Sequence, residues 1–386
     1  HILHMVNRKY WLNLIDKLWE KTNIIWLYGV RRAGKTFICK SIKNIDYYDC
    51  ELPSARRILE DPESFLENTN GKLIAIDEIH RLKNASEFLK IAADYFPKTK
   101  IIATGSSILT ANKKFKDSLT GRKKDILLTP INYSDFFDFK IDKITTRLIK
   151  GGLPPYILNQ NPTERDYYEW IENYWAKDIQ ELFGVGNRTA FLKFTELLIF
   201  RSGGIFEASS YAPECEVSRQ TIFSYLNILD TTLIANTIRP FSSRRSNEII
   251  RAPKVYFFDT GFIRYFRGIS QLKEEDLGFL WEHFVLNELI SILQHRKIYY
   301  WRDKRGHEVD FIIRNHNGKN IAIECKWKEE QFSANNFAIF SKYYPDFENL
   351  VITSDTKKQY YKKISNVKIK FINAMEIANY LNKKQY

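Results

Sequence analysis

The sequence predicts an α/β chain in three parts: a parallel-sheet domain over 6–150, a helical region over 151–270 and a second α/β unit over 271–386. Three observations carry this reading. Apolar runs alternate with amphipathic helical stretches as far as about residue 135, the pattern of a parallel sheet covered on both faces. The run GVRRAGKT (29–36) has the form G-x-x-x-x-G-K-T and sits between an apolar strand and a helix. Beyond GGLPPY (151–156) the pattern is mostly helical, and strands become dominant again near 297.

Taken in order, an amphipathic helix is expected over 8–20, with Trp11, Leu12, Leu14, Ile15, Leu18 and Trp19 as its apolar set. IIWLYG (24–29) reads as a strand, TFICKSIKN (36–44) as a helix and IDYYDCE (45–51) as a strand. LIAIDE (73–78) is an apolar strand ending in two acids. ASEFLKIAADYF (85–96) is helical, and KIIATGSS (100–107) and DILLTP (125–130) are further strands. GGLPPY reads as a hinge because Gly and Pro break both periods. In the middle region Ser218 caps a helix with Ile222, Tyr225, Leu226 and Leu229 as its stripe. TLIANTIRPF (232–241) and KVYFFDTG (254–261) then flank a basic turn, which gives a winged-helix pattern. In the last part a long helix (277–294) precedes strands at 297–303, 308–315 and 320–328. A helix near 333–343, a strand at 350–354 and a terminal helix follow.

Composition narrows the function classes. The 386 residues are 44% hydrophobic and 27% charged, so a packed globular chain is expected rather than a disordered one. No apolar run approaches the roughly 20 residues of a membrane-spanning helix, so no membrane is expected as partner. HILHM before Met5 reads as an added leader, and no secretory signal is expected. The four cysteines (39, 50, 215 and 325) show no zinc spacing and read as reduced thiols of a cytoplasmic protein. Net charge is +13, and +9 of it falls in residues 1–150. That suits a polyanionic partner such as nucleic acid, or a lysine-rich composition spread over solvated faces.

The run at 29–36 is a phosphate-binding loop. Gly29 and Gly34 let the backbone wrap phosphate oxygens, with Arg31, Arg32, Ala33 and Phe37 completing the contact. Lys35 is placed for the β- and γ-phosphates of ATP, and Thr36 for Mg²⁺. Asp77, ending its strand, is placed beside Mg²⁺, and Glu78 to take a proton from the attacking water. The strand at 100–107 is expected between the two motif strands, with Ser106 as the hydroxyl near the γ-phosphate and Thr104 as the alternative.

In the last part, Glu282 lies on the long helix, Asp310 in HEVDFII, and Glu324 and Lys326 in IECKWK. Asp310 and Glu324 are 14 residues apart, which suits a hairpin, and Glu324 and Lys326 share one face of their strand. This is the pattern of the PD-(D/E)XK nuclease fold, although Val309 stands where the strict pattern has Pro. Asp310, Glu324 and Glu282 would ligate Mg²⁺ for phosphodiester hydrolysis, with Lys326 orienting the water. The alternative is an inert fold, its acids paired with Lys326 and Arg302. His283 and His307 read as structural, or as assisting metal or phosphate binding.

With SLTGR (118–122), TPINYSDFFDF (129–139), GGLPPY and KVYFFDTG joining the two motifs in order, the sequence resembles a prokaryotic family of AAA-type ATPases. Its members carry a winged-helix region and a C-terminal restriction-endonuclease-like domain. The resemblance covers about 10–380 and implies a P-loop NTPase domain that binds ATP and Mg²⁺. It also implies a role for Arg122 as a finger that reaches the γ-phosphate of a neighbouring subunit, and hence a homo-oligomer. The alternative for Arg122 is a place on a solvated loop. In the winged-helix region, Arg219, Gln220, Ser224, Arg244 and Arg245 are candidates for DNA contact, but Glu214 and Glu216 flank the helix start. A lid or protein-docking module, with a protein partner, is the other reading. Together the expectations are an ATPase acting on nucleic acid, with metal-dependent DNA cleavage by its last domain. The other class is a nucleotide-switched scaffold with an inert last domain.

Overall fold

The computed structural model describes residues 6–105, 119–159, 162–242, 252–315, 319–364 and 366–382. Ser106, Arg244 and Arg245 lie outside these residues.

The first sheet has five strands: β1 (Ile24–Gly29), β2 (Ile45–Asp49), β3 (Leu73–Asp77), β4 (Lys100–Thr104) and β5 (Lys123–Leu128). They are all parallel, in the order β2-β3-β4-β1-β5. The strand at 100–107 therefore does lie between the two motif strands, although it ends at Thr104. Helix α1 (Lys9–Trp19) buries Trp11, Ile15 and Trp19, and α2 (Lys35–Ser41) follows the phosphate loop. Helix α3 (Ala85–Tyr95) buries Phe88, Leu89 and Ala92 on the other face. Parallel strands put all their carboxyl ends on one edge, so Gly29, Asp77 and Thr104 meet there.

The middle region holds α4 (Glu164–Tyr174), α5 (Arg188–Phe200) and α6 (Arg219–Thr231). Ser218 caps α6 by accepting from the Thr221 N–H (3.1 Å), and Ile222, Tyr225, Leu226 and Leu229 are buried. Arg219, Gln220 and Ser224 are exposed. Strands β6 (Ala235–Pro240) and β7 (Lys254–Phe257) form an antiparallel pair. This pair does not stand alone. Arg239 and Pro240 pair with Tyr299 and Tyr300 of β8 (Tyr299–Arg302), so the hairpin joins the last sheet.

That sheet has eight strands in the order β12-β13-β11-β10-β9-β8-β6-β7. Its members from the last region are β8, β9 (Glu308–Ile313), β10 (Ile321–Lys326), β11 (Glu348–Thr353), β12 (Tyr360–Ile364) and β13 (Val367–Asn373). Helix α7 (Thr260–Phe266) precedes α8 (Glu274–Leu293), and α9 (Asn335–Tyr343) and α10 (Ala374–Asn382) complete the layers. β9 and β10 form the hairpin expected between Asp310 and Glu324. Two strands, β12 and β13, have no counterpart in the sequence reading.

GGLPPY is not a hinge. Gly151 and Gly152 are buried, and a Cβ on Gly151 would lie 2.1 Å from Asp259 Oδ1. A Cβ on Gly152 would meet Arg147 Nη2 at 2.2 Å. The Gly152 N–H donates to Asp259 Oδ2 (2.5 Å), and the Gly152 carbonyl accepts from the Ile131 N–H (2.7 Å). Small residues here serve a close, fixed junction.

Candidate functional site

At the end of β1, Gly29 lies against β5 so closely that a Cβ would stand 2.3 Å from the Leu128 carbonyl oxygen. Arg32 and Gly34 take positive φ (63° and 102°), which curls the loop ahead of α2. Lys35 Nζ reaches back along the loop and donates to the carbonyls of Gly29 (3.1 Å) and Val30 (3.3 Å). From below, Arg8 donates to the Ala33 carbonyl (3.0 Å) and pairs with Asp135, both residues being buried. A buried pair of this kind fixes geometry more than it stabilises.

Asp77 is the centre of the site. Its Oδ2 accepts from Thr36 Oγ1 (2.7 Å) and from the Tyr47 hydroxyl (2.7 Å), and its Oδ1 from Thr104 Oγ1. Burial and Asp77 push the Tyr47 hydroxyl far up, which keeps it a donor. Glu78 follows at φ 52°, a conformation a non-glycine residue adopts only when its surroundings impose it. The imposing bond is its own N–H donating to Thr104 Oγ1 (3.1 Å). Thr104 thus holds both acids, a positioning role rather than the phosphate contact considered from sequence. Burial would raise the Glu78 carboxyl, but His80 (Nδ1 3.1 Å away), Lys35 and Arg31 outweigh it and hold it below its ordinary value.

A cleft of about 540 Å³ opens beside the loop, walled by Val6, Arg32, Phe37, Phe139, Pro154 and Leu158. On the other side, the wide helical turn Trp175–Gln180 brings Asp178 to Arg31 (3.4 Å). Burial raises the Asp178 carboxyl, with Arg31 and Lys35 opposing. The middle region therefore reaches over the phosphate loop. Neither Tyr47 nor Asp178 was found from sequence. Tyr47 carries a faint signal, a polar-tipped ring in a strand beside the acidic one.

Arg122 is elsewhere. Lys123 pairs with Ile24 and Leu128 with Gly29, so Arg122 lies at the amino end of the sheet. About 20 Å of strand separates it from the phosphate loop. Its guanidinium pairs with Asp94 (2.6 Å).

The C-terminal residues do converge. Lys326 Nζ lies 2.8 Å from Glu324 Oε2 and 3.9 Å from Asp310 Oδ2. Asp310 Oδ2 also accepts from the Cys325 N–H (2.7 Å), and Asn336 donates to Glu324 Oε1 (3.2 Å). Glu282 accepts from the Tyr256 hydroxyl (2.5 Å) and lies 3.8 Å from Lys254, which also pairs with Glu308. Burial and the nearby Asp310 push up the carboxyls of both Glu282 and Glu324. Burial would lower the Lys326 ammonium, but Asp310 and Glu324 hold it above its usual range. Among the described residues no three His, Cys, Asp or Glu side chains are gathered closely enough to hold a metal ion, so the expected three-carboxylate set of Glu282, Asp310 and Glu324 is not formed. Lys326 and Lys254 supply positive charge where Mg²⁺ was expected. Lys254 and Tyr256, from β7, were not foreseen here, because this strand lies before the boundary drawn at 270.

The two histidines are engaged structurally. His283 stands between Ser202 Oγ (2.7 Å) and the Phe279 carbonyl (2.9 Å), with burial lowering its pKa to about 3. His307 lies 2.8 Å from Asp303. Arg302 pairs with Glu308 (3.5 Å) rather than with the expected acids.

Residues 21–137 match the family model described as an AAA domain. This part of the chain has the α/β AAA-type ATPase fold. Residues 141–273 and 277–375 match two models described as domains of unknown function, DUF8612 and DUF4143. An uncharacterized protein of Mycobacterium tuberculosis is 27% identical over 321 residues, 80% of this chain and 71% of the relative. An uncharacterized protein of Methanocaldococcus jannaschii is 24% identical over 355 residues, 83% of this chain and 77% of the relative. Among solved structures, the Walker-type ATPase of Pyrococcus abyssi is 14% identical, with a TM-score of 0.45 over 68% of this chain and 96% of that one. A RuvB variant of Thermotoga maritima is 18% identical, with a TM-score of 0.30 over 59% and 87%. No helix among the described residues is long and apolar enough to cross a membrane.

Proposed function

We propose that the chain is a Mg·ATP-hydrolysing AAA-type ATPase that acts on nucleic acid. The observation that carries the nucleotide reading is the convergence of Thr36, Asp77 and Glu78 on the carboxyl edge of the sheet, beside the phosphate loop. Lys35, now bonded to loop carbonyls, would exchange them for β- and γ-phosphate oxygens. Thr36 and Asp77, hard oxygen donors already 2.7 Å apart, fit Mg²⁺, which would supply charge neutralisation on the phosphates. Glu78, held ionised, accepts the proton of the attacking water. The cleft walled by Phe37, Phe139 and Leu158 suits the base. Arg122, too far from its own loop, would act on a neighbouring subunit, which makes the working form a homo-oligomer. Four free, buried cysteines fit a cytoplasmic setting.

On this reading the middle region keeps the winged-helix role, with Arg219, Gln220 and Ser224 presented for DNA. Asp310, Glu324 and Lys326 form the cleaving set of a restriction-endonuclease-like domain, with Glu282 beside them. A second reading rests on one specific observation: Lys326 and Lys254 already neutralise the acids. The last domain would then be inert and the chain a nucleotide-switched scaffold for a protein partner. Incubation of plasmid DNA with Mg²⁺ or Mn²⁺ separates the two. Cutting by the wild type that Glu324→Ala abolishes supports the nuclease; no cutting under any condition supports the scaffold. Phosphate release from ATP tests the nucleotide site, and full activity in Lys35→Ala would overturn it.

A further inference from the structure

The hairpin β12–β13 forms one edge of the eight-stranded sheet. Residues 356–375 hold six lysines (357, 358, 362, 363, 368 and 370) and no acid. Residues 271–386 carry 19 basic and 15 acidic residues, so outside this stretch the region is net negative. Its positive charge is thus concentrated on one hairpin.

The register decides which side chains meet. Lys363 stands opposite Lys368, and Tyr361 opposite Lys370. Opposed residues of an antiparallel pair share a face, so these four form one patch. The Tyr361 ring is 58% exposed, with Lys368 Nζ 4.4 Å and Lys370 Nζ 5.2 Å from its centre. The nearby acids are engaged: Glu376 accepts from the N–H groups of Gln359 and Asn373, and Glu348 from the Tyr380 hydroxyl. Directly opposed like charges disfavour a hairpin, and a polyanion relieves that cost. A lysine or two suffices to keep an edge strand from pairing with another sheet; three lysines on one face with an exposed ring go beyond that.

The pairing also shows which way the patch points. Tyr360 pairs with Phe371, Phe371 with Val351 and Val351 with Glu324, so these four share one face of the sheet and the patch of Tyr361, Lys363, Lys368 and Lys370 occupies the other. Lys368 and Lys370 are one two-residue step apart, about 6.8 Å, or twice the 3.4 Å axial rise per phosphate of one strand.

We propose that the β12–β13 hairpin presents a nucleic-acid backbone-binding surface, with Lys363, Lys368 and Lys370 on phosphates and Tyr361 against a base or sugar. This rests on the reading that the chain acts on nucleic acid. The test is fluorescence anisotropy of labelled duplex and single-stranded DNA with the full chain, across a salt series. The wild type is compared with the triple variant Lys363→Gln, Lys368→Gln, Lys370→Gln. The expected result is at least a tenfold weaker affinity, and a slope of log affinity on log salt shallower by about 2 to 3, the loss of three phosphate contacts. The variant should melt at or above the wild-type temperature, because the Lys363–Lys368 repulsion is gone, and hydrolyse ATP at the wild-type rate without DNA. Equal affinity and slope in wild type and variant would overturn the surface and leave the wider reading standing. A wild type that binds no DNA at low salt would overturn both. Vesicles of phosphatidylserine and phosphatidylcholine form the control arm; lysine-dependent binding there, with DNA binding unchanged, would assign the patch to lipid and overturn the proposal.

Discussion

Thr104 shows how one hydroxyl organises the nucleotide site. It donates to Asp77 and accepts from the Glu78 N–H, so it sets the direction of both acids. Thr104→Val keeps shape and removes both bonds. If Asp77 holds Mg²⁺ as proposed, the expected outcome is a kcat about 10 to 100-fold lower, the usual cost of losing a supporting bond behind a metal ligand, with KM for ATP changed much less; steady-state phosphate release checks it. Glu288 gives a pH prediction. Burial raises its carboxyl to about 8, while it accepts from the Tyr133 N–H (2.8 Å). A folded-state pKa above the unfolded value means stability that is complete below about pH 4.5 and is lost as pH rises through about 8. Glu288→Gln keeps the acceptor and loses the titration. Its melting temperature should therefore fall less than that of the wild type between pH 5 and 8, and parallel curves would refute the assignment. At this scale the meeting of Lys35, Thr36, Asp77 and Glu78 was legible, because it follows from short linear spacing at strand ends. Tyr47, Asp178 and Lys254 were not, because each arrives from another element; His80 is two residues from Glu78, and no motif marks it.

At the scale of elements, alternation of apolar and amphipathic stretches made the five-stranded sheet and its covering helices legible. Two features were missed. Val367, Ile369 and Phe371 alternate with lysines and carry a period of two, yet the charge of the stretch hid the hairpin. The other is the join of β6 to β8, a two-residue pairing that no local pattern announces. The break at 151–156 was legible as a discontinuity but not as a tight junction, since composition cannot tell a glycine that bends from one that makes room. Gly152→Ala discriminates: with Arg147 buried and bonded to the Ile131 carbonyl (2.7 Å) and Thr260 (3.0 Å), the added methyl has nowhere to go. The expected loss is about 1–3 kcal/mol of stability, read by urea denaturation. A variant as stable as the wild type would restore the hinge.

Across the whole molecule, a buried polar chain ties the phosphate loop to the acid cluster. Arg8 links the Ala33 carbonyl to Asp135. The segment after β5 is bonded to α8 through Asn132 and Ser291, Tyr133 and Glu288, and Asn287 and the Pro130 carbonyl. The same helix carries Glu282 into the C-terminal cluster. This is a continuous series of hydrogen bonds between the two sites. The proposed action of Arg122 on a neighbouring subunit belongs to this scale too. Mixing Arg122→Ala with Glu78→Gln should restore part of the hydrolysis that each variant lacks, since each supplies what the other is missing. No recovery would leave Arg122 as the partner of Asp94 alone. The central claim is that ATP turnover in this chain is coupled to nucleic acid. Its most direct test is the rate of phosphate release from ATP with increasing duplex DNA, in the wild type and in Lys35→Ala. The account expects turnover that rises with DNA and is absent in the variant. Turnover indifferent to DNA, or equal in the two proteins, would contradict it.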